Sequence, residues 1–153
     1  MRKFKFTLQT LLNVKVALEK RYMGELADCE ARIARFYKEL EQLNHTIEAQ
    51  KYKYINEMLN GGLHASDLET WSVGFRVMRE RIQKQHKKIQ AAEDERRLIQ
   101  KRLVEVMRER KTLEKLRENQ YEEYKIELKA EDAKMLDDFV SNRIKQKGMS
   151  IHG

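Results

Sequence analysis

The chain contains no proline in 153 residues, and this absence is the feature that most limits what it can fold into. Proline is the residue that most reliably breaks a helix, and turns draw heavily on proline and glycine. A fold built from strands and turns is therefore disfavoured, while long uninterrupted helices are permitted. Charged residues make up 37% of the chain and hydrophobic residues 41%, a balance too polar for a rounded two-layer core.

One short segment interrupts the chain. Asn60-Gly61-Gly62 is typical of a turn, and Ser66 and Glu69 follow it with the spacing of a capping box, which marks the start of a helix. We therefore predict a single domain over 1–153, in which the elements are a first helix at about 7–59, a turn at 60–66, a second helix at about 67–145 and a short tail at 146–153.

Residues suited to a helix interface recur three and four apart on both sides of this break. Before it they are Tyr22, Leu26, Cys29, Ile33, Phe36, Leu40, Leu43, Ile47, Gln50 and Tyr54. After it they are Leu68, Trp71, Phe75, Met78, Ile82, Gln85, Ile89, Ala92, Arg96, Ile99, Leu103, Val106, Arg110 and Leu113. A 3.5-residue period over this length is the signature of helices supercoiled around a narrow seam. The sequence therefore predicts an all-α fold, in which two long helices form an antiparallel coiled-coil hairpin.

The second helix is predicted to be the longer one and to overhang the first. With the turn centred near residue 63, Leu26 lies level with about Ile99 and Leu8 with about Glu118, which leaves about twenty-five residues of the second helix without a partner. The strict heptad also fails after Leu113. The side chains expected to lack an internal partner are Tyr124, Leu128, Met135 and Phe139.

Two glycines, Gly24 and Gly74, fall inside the predicted helices, where each costs about 1 kcal/mol relative to alanine. Close packing and local flexibility are both open explanations for them.

The sequence predicts no catalytic, metal-binding or phosphate-binding site. Gly61-Gly62 lacks the lysine and hydroxyl residue of a phosphate loop, the four histidines share no helical face, and the one cysteine lies on the seam. We expect no catalytic residue, cofactor, metal or small-molecule substrate, and therefore no enzyme. No stretch of eighteen apolar residues occurs, so a soluble cytoplasmic protein is expected.

The net charge of +7 is concentrated in one region. Residues 76–115 hold fourteen Lys and Arg against seven Asp and Glu, whereas 118–138 hold eight acids against three lysines. A solvated coiled-coil flank explains the basic region, and an acidic protein partner or a nucleic acid remains an alternative. A nucleic acid would bind through Lys84, Lys87, Lys88, Arg96 and Arg97, but the aromatic residues lie too much on the seam to stack on bases.

Three segments carry a resemblance to a known family. Phe4-Lys5-Phe6-Thr7-Leu8-Gln9-Thr10-Leu11-Leu12 is an aromatic-basic pair followed by Leu-x-x-Leu-Leu. Glu114-Lys115-Leu116-Arg117-Glu118-Asn119-Gln120-Tyr121-Glu122-Glu123-Tyr124 and Glu131-Asp132-Ala133-Lys134-Met135-Leu136-Asp137-Asp138 follow later in the chain. Together, and with a glycine turn between them, they resemble the FliJ family of the bacterial flagellar export apparatus over nearly the whole chain.

The resemblance implies a non-enzymatic component of the flagellar type III protein export apparatus, akin to the central stalk of rotary ATPases. Such proteins bind the hexameric export ATPase through the region of the paired termini and promote its assembly. They also contact the export gate membrane protein FlhA through a face nearer the turn, and they handle export chaperones. The implied location is the cytoplasm, peripherally at the cytoplasmic face of the membrane at the flagellar base, with roles in motility and chemotaxis.

The resemblance also implies which residues meet these partners. The gate-binding face is expected to comprise Leu43, Ile47, Gln50 and Tyr54 of the first helix and Trp71, Phe75, Met78 and Ile82 of the second. The ATPase-binding end is expected to comprise Leu8, Leu11, Leu12, Leu116, Gln120, Tyr124, Leu128 and Met135. Gly74 stands where the family usually has an aromatic residue.

Three alternatives remain open on the sequence. The equivalent stalk protein of a virulence type III secretion system shares the architecture, although the terminal motifs resemble the flagellar family. A basic coiled-coil hairpin that binds nucleic acid would show affinity that falls steeply with salt. An inert spacer or scaffold would have no specific partner.

Overall fold

The computed structural model describes residues 2–62 and 64–152, without the side chains of 149–152. In this part of the chain there are two α-helices and no strand: α1 is Gln9–Leu59, with 51 residues, and α2 is Ala65–His152, with 88. The predictions of an all-α helical hairpin and of a longer second helix are confirmed. Contacts divide the chain into a terminal unit, Met1–Leu18 with Val106–Gly153, and a turn unit, Glu19–Glu105.

The helix α1 ends in a glycine cap. Gly61 has a positive φ of 70°, and its N–H donates to the Met58 carbonyl oxygen at 3.3 Å. The N–H of Gly62 donates to the Glu57 carbonyl oxygen at 3.1 Å. These two bonds form a Schellman motif, which needs a residue that tolerates the left-handed region. The predicted turn is therefore closed by the residue type that its geometry requires.

The start of α2 is capped two residues earlier than predicted. Asp67 accepts a hydrogen bond at its Oδ2 from the backbone N–H of His64, at 3.0 Å, and His64 in turn accepts through its carbonyl from the N–H of Asp67. This reciprocal bonding replaces the expected pair of Ser66 and Glu69. The Asp67 carboxylate also lies in the first turn, where the helix dipole favours a negative charge.

The helix α2 continues well past the predicted end near Lys145, so the segment from 146 to 152, expected to be a tail, is helical. Gly148 is the only helix-weakening residue there, and one glycine costs only about 1 kcal/mol. Without a proline, nothing in the local sequence ends the helix.

Packing in the turn unit follows the predicted seam. Cys29, Ile33, Ala92 and Ile99 form a buried cluster, against which Leu26 and Phe36 pack. The contact of Leu26 with this cluster agrees with its predicted position level with Ile99. Hydrogen bonds show the antiparallel order, because Cys29 Sγ donates to the Ala92 carbonyl while Phe36, one heptad later, accepts from Gln85.

Gln85 is a polar residue in this seam and is only 5% exposed. Its Nε2 donates to the Phe36 carbonyl oxygen at 2.8 Å and to Glu39 Oε2 at 3.0 Å. A buried amide is tolerated when its donors are used, and it favours the one register in which its acceptors are in reach.

One residue that was predicted to lie in the seam does not. Leu68 is 45% exposed. It lies within the first turn of α2, close to where α1 ends at Leu59, so it has few neighbours across the seam.

The terminal unit has a core of its own. Phe6, Leu12 and Leu113 are buried together, and Phe4 and Val16 pack against them. Phe4 and Phe6 precede α1 and alternate along the chain, which brings both onto one side of an extended segment.

This extended segment supplies a partner that the sequence interpretation did not expect. Tyr124 donates a hydrogen bond from its hydroxyl to the Arg2 carbonyl oxygen at 2.5 Å, and its ring centroid lies 5.6 Å from that of Phe4. The prediction that Tyr124 lacks an internal partner is therefore wrong, and Leu128 is half-buried. The exposed part of α2 begins later, and every described side chain from 129 to 148 is exposed.

The two helical glycines are not explained by close packing. A methyl group added at Gly24 or at Gly74 would meet nothing within 4 Å. Close packing was one of the two explanations that the sequence left open for these glycines. The described residues exclude it, because none of them approaches either position closely.

Candidate interaction surfaces

Three aromatic rings form a cluster beside the turn, in the turn unit. The ring of Tyr54 contacts Trp71 at a centroid distance of 5.4 Å and Phe75 at 5.7 Å, edge to face in both cases. Trp71 and Phe75 stack at 5.8 Å. Such contacts are worth about 0.5–1.5 kcal/mol each beyond area burial, so they fix the rings in place. The three side chains are nevertheless only half-buried.

A pocket of about 220 Å³ opens beside this cluster, and we name it the turn pocket. It is lined by Tyr54, Leu68, Trp71, Ser72, Phe75 and Arg79. Small-molecule sites usually measure about 300–1,000 Å³, so the volume suits a single side chain rather than a metabolite. A lining of aromatic side chains and one arginine is typical of an anchor site for a protein partner.

The predicted gate-binding residues divide into two groups. Ile47 and Met78 are buried in the seam, so they support the surface from within. The others are half-buried and present part of their side chain to solvent: Leu43, Gln50, Tyr54, Trp71, Phe75 and Ile82.

The sequence interpretation missed the pocket residues Ser72 and Arg79 and assigned Leu68 to the seam. The spacing of these residues in the sequence could have identified them. Leu68, Ser72, Phe75 and Arg79 are spaced four, three and four apart, which places them in one row along α2.

The row continues into the most basic part of the molecule. Between residues 76 and 92 there are six cations and one acid, Glu80. The six are Arg76, Arg79, Arg81, Lys84, Lys87 and Lys88. None of them forms an ion pair with a described residue, although Lys88 Nζ lies 5.9 Å from the centre of the Phe36 ring. Unpaired like charges this close leave a positive potential that an acidic partner would relieve.

The terminal unit presents a second apolar surface, around the start of α1. Leu8 and Leu11 are exposed, whereas Leu12 is buried against Phe6 and Leu113. A shallow pocket of about 490 Å³ lies beside Leu11. It is lined by Leu11, Lys15, Arg108, Glu109, Thr112 and Leu113, and Lys15 and Glu109 form an ion pair across the two helices.

The remaining residues of the predicted ATPase-binding end lie along α2 of the same unit. Leu116 and Met135 are exposed, and Met135 is 70% exposed. Gln120, Tyr124 and Leu128 are half-buried. Other large apolar or aromatic side chains are exposed on the described part of α2 in this unit: Tyr121, Ile126, Leu136, Phe139, Val140 and Ile144.

Titratable groups with shifted pKa values are few. Burial raises the pKa of the Cys29 thiol, and the nearby Glu95 adds to the effect, so the thiol stays protonated near neutral pH. A hydrogen bond to Glu93 raises the pKa of Tyr37, and one to Glu95 raises that of Arg32. A hydrogen bond to Glu122 raises the pKa of Lys125. Each shift follows from a structural contact, and none creates an activated nucleophile or base.

The described residues contain no group of three or more His, Cys, Asp or Glu side chains that could hold a metal ion. Neither helix, as far as it is described, is long and apolar enough to cross a membrane.

Comparison with known proteins identifies the family. A model of the family described as Flagellar FliJ protein matches residues 4–149, which is nearly the whole chain. No curated protein and no solved structure matches the chain. The match includes Phe4 and Phe6 of the segment before α1 and the whole exposed stretch of α2 from 129 to 148. The chain therefore belongs to the FliJ family, a component of flagellar type III protein export.

Proposed function

We propose that this protein binds the hexameric flagellar export ATPase through its terminal unit, as a central-stalk-like coiled coil, and promotes assembly and activity of the ring. The observation that carries the proposal is the amount of apolar surface that this unit leaves in water. Around the start of α1 it comprises Leu8 and Leu11, and on α2 it comprises Leu116, Met135 and their neighbours. Met135 and Phe139 are four residues apart and therefore neighbours on the surface of α2, and adjacent exposed apolar side chains mark sites of protein association.

The turn unit is proposed to contact the export gate protein FlhA. The support comes from the half-buried rings of Tyr54, Trp71 and Phe75 around the turn pocket. Large aromatic side chains that keep part of their surface exposed are the commonest anchors of protein interfaces. The backbone at Gly74 is open beside them, because an added Cβ atom there would meet no described atom within 4 Å.

Two further parts of the proposal rest on the family alone. The protein handles export chaperones, and it acts in the cytoplasm, at the membrane only through its partners. Its contribution to the cell is flagellar protein export and hence motility.

The ATPase contact is tested with purified proteins. Adding the chain to the purified export ATPase should give a complex that co-elutes and should raise ATP hydrolysis. Replacing Leu8 and Leu11 by serine should reduce both effects. The matched control replaces Leu98 and Val104 by serine, because these two are about as exposed but lie on the turn unit.

Helicity measured by circular dichroism should be unchanged in both double variants. If the wild-type chain neither co-elutes with the ATPase nor changes hydrolysis, the proposal is wrong. Equal loss in both double variants would show that general surface hydrophobicity, rather than the terminal unit, causes binding.

The gate contact is tested by replacing Trp71 and Phe75 by alanine. We expect weaker binding to the cytoplasmic part of the gate protein and retained stimulation of the ATPase. Loss of the helical signal would instead show that the two rings hold the turn unit together.

A further inference from the structure

The turn pocket combines two chemistries. Its walls are the rings of Tyr54, Trp71 and Phe75, and Arg79 lies on its lining one helical turn beyond Phe75. The walls favour an apolar side chain, whereas the guanidinium favours a carboxylate. A ligand that satisfies both must carry the two groups close together.

Arg79 is available for such a contact. It is exposed, and it forms no ion pair and no hydrogen bond with a described residue. Its neighbours on α2 reinforce its charge, since Arg76 and Arg81 are cations and only Glu80 is acidic. An arginine can bind a carboxylate with two parallel hydrogen bonds, which adds geometric selectivity to the charge attraction.

The size of the pocket limits the occupant. About 220 Å³ admits one side chain and little more. A nucleic acid would require exposed ring faces, but here each of the three rings is engaged with the other two, at centroid distances of 5.4 to 5.8 Å.

We propose that the turn pocket binds an acidic segment of a protein partner, in which one apolar side chain enters the pocket beside the aromatic rings and an adjacent carboxylate pairs with Arg79. This inference deepens the proposed contact with the export gate and rests on it for the identity of the partner. It makes Arg79 the residue that selects for negative charge. The surrounding cations would then speed association and make it sensitive to salt.

The chain provides its own probe, because Trp71 is its only tryptophan and lines the pocket. Three capped six-residue peptides without tryptophan would be titrated to millimolar concentration while the emission of Trp71 is recorded. The first, Gly-Asp-Phe-Leu-Glu-Gly, carries both groups. The second, Gly-Lys-Phe-Leu-Lys-Gly, reverses the charge, and the third, Gly-Asp-Ser-Ser-Glu-Gly, lacks the apolar side chains.

Only the first peptide should give a saturable change in emission. The variant Arg79→Gln should weaken its binding about tenfold or more, the usual effect of losing a charged hydrogen bond. The matched control is Arg76→Gln, which removes the same charge from the same helix but does not line the pocket. It should weaken binding only slightly, and the helicity of both variants should equal that of the wild type.

Several results would overturn the inference. These are equal binding of the acidic and the lysine peptide, equal loss in the two arginine variants, or no response to any peptide. A change in Trp71 emission with single-stranded RNA but not with the acidic peptide would assign the pocket to a nucleic acid instead.

The same variants separate this inference from the proposed function. If Arg79→Gln loses the acidic peptide and the cytoplasmic part of the gate while still stimulating the ATPase, both stand. If the gate binds wild type and Arg79→Gln equally, the carboxylate contact is wrong but the gate contact remains. If the acidic peptide binds as expected and the gate does not bind at all, the pocket chemistry stands and the gate assignment fails.

Discussion

The two units each contain three aromatic rings in contact, and they use them differently. In the terminal unit Phe4 lies 5.1 Å from Tyr121 and 5.6 Å from Tyr124, centroid to centroid. In the turn unit the corresponding distances from Tyr54 are 5.4 and 5.7 Å. The ring geometry is therefore nearly the same in the two clusters.

The difference lies in what else contacts the rings. The terminal cluster is tied down by a hydrogen bond from Tyr124 to the backbone of Arg2 and by the guanidinium of Arg117, 5.6 Å from the Phe4 ring centre. The turn cluster borders a pocket lined mostly by aromatic and apolar residues, whereas the pocket beside Phe4 and Tyr124 is lined mostly by charged residues. The rings of the terminal cluster therefore serve to pack the segment before α1 against α2. The rings of the turn cluster have no such segment against them, and they offer a docking site.

The comparison predicts that the terminal unit is the more sensitive to loss of a phenylalanine. Phe6 is 7% exposed and lies in the core with Leu12 and Leu113. Its replacement by alanine should lower the free energy of unfolding by about 3–5 kcal/mol, because it leaves a cavity. Urea titration of Phe6→Ala checks this.

The control for this prediction is Phe139→Ala. Phe139 is 60% exposed, so the change should stay within about 0.5 kcal/mol. Similar losses in the two variants would show that the extended segment does not contribute a core.

In the turn unit, Phe75→Ala should cost less, about 1–2 kcal/mol, because the side chain is only half-buried. The variant should also abolish the acidic-peptide response of Trp71, whereas Phe6→Ala should leave that response intact. A stability loss as large as that of Phe6→Ala would remove the distinction between the two clusters.

A smaller effect of opposite sign is expected at Gly74. Alanine there meets no described atom within 4 Å and raises helix propensity, so Gly74→Ala should stabilise the protein by about 0.5–1 kcal/mol. The same change at Gly24 should have a similar effect, and thermal unfolding of both variants measures it. If Gly74→Ala alone weakens gate binding, the partner approaches the backbone at this position.

The smallest effect concerns pH. Burial raises the folded-state pKa of Cys29 above the value of about 8.5 for a free thiol. The folded state therefore holds the proton more tightly than the unfolded state, and its stabilisation is complete below about pH 8.5 and is lost as pH rises through the folded pKa.

Hydrogen exchange measured between pH 7.5 and 9.5 should show the turn unit losing protection relative to the terminal unit. Cys29→Ala should remove most of this difference, and an unchanged difference in that variant would assign it to another group.

The sequence predicted the seam well because a heptad repeat reports a single physical requirement, burial of one narrow helix face. Ile33, Leu40, Ile89 and Ile99 are buried as expected. Gly61 lies between α1 and α2 and has the positive φ that its turn requires.

Other features escaped prediction because they have no period. In the extended segment before α1, only Phe4 and Phe6 pack against the core of the terminal unit. Two alternating residues are too few to be recognised as a pattern in the sequence. The cap at His64 depends on the side chain of Asp67 rather than on a serine. Arg79 becomes a candidate binding residue only through the pocket that Tyr54 of the other helix completes.

The exposed stretch of α2 from 129 to 148 has a consequence for the lifetime of the chain. Most helix stability in proteins comes from tertiary packing, and the described side chains of this stretch are all exposed, so we expect it to open more readily than the rest of α2. A protease that cleaves after lysine or arginine then meets Lys129, Lys134 and Arg143 in open backbone. Because a bound partner would hold the helix closed, occupancy by the partner would set how fast the chain is shortened, and limited trypsin digestion would measure it.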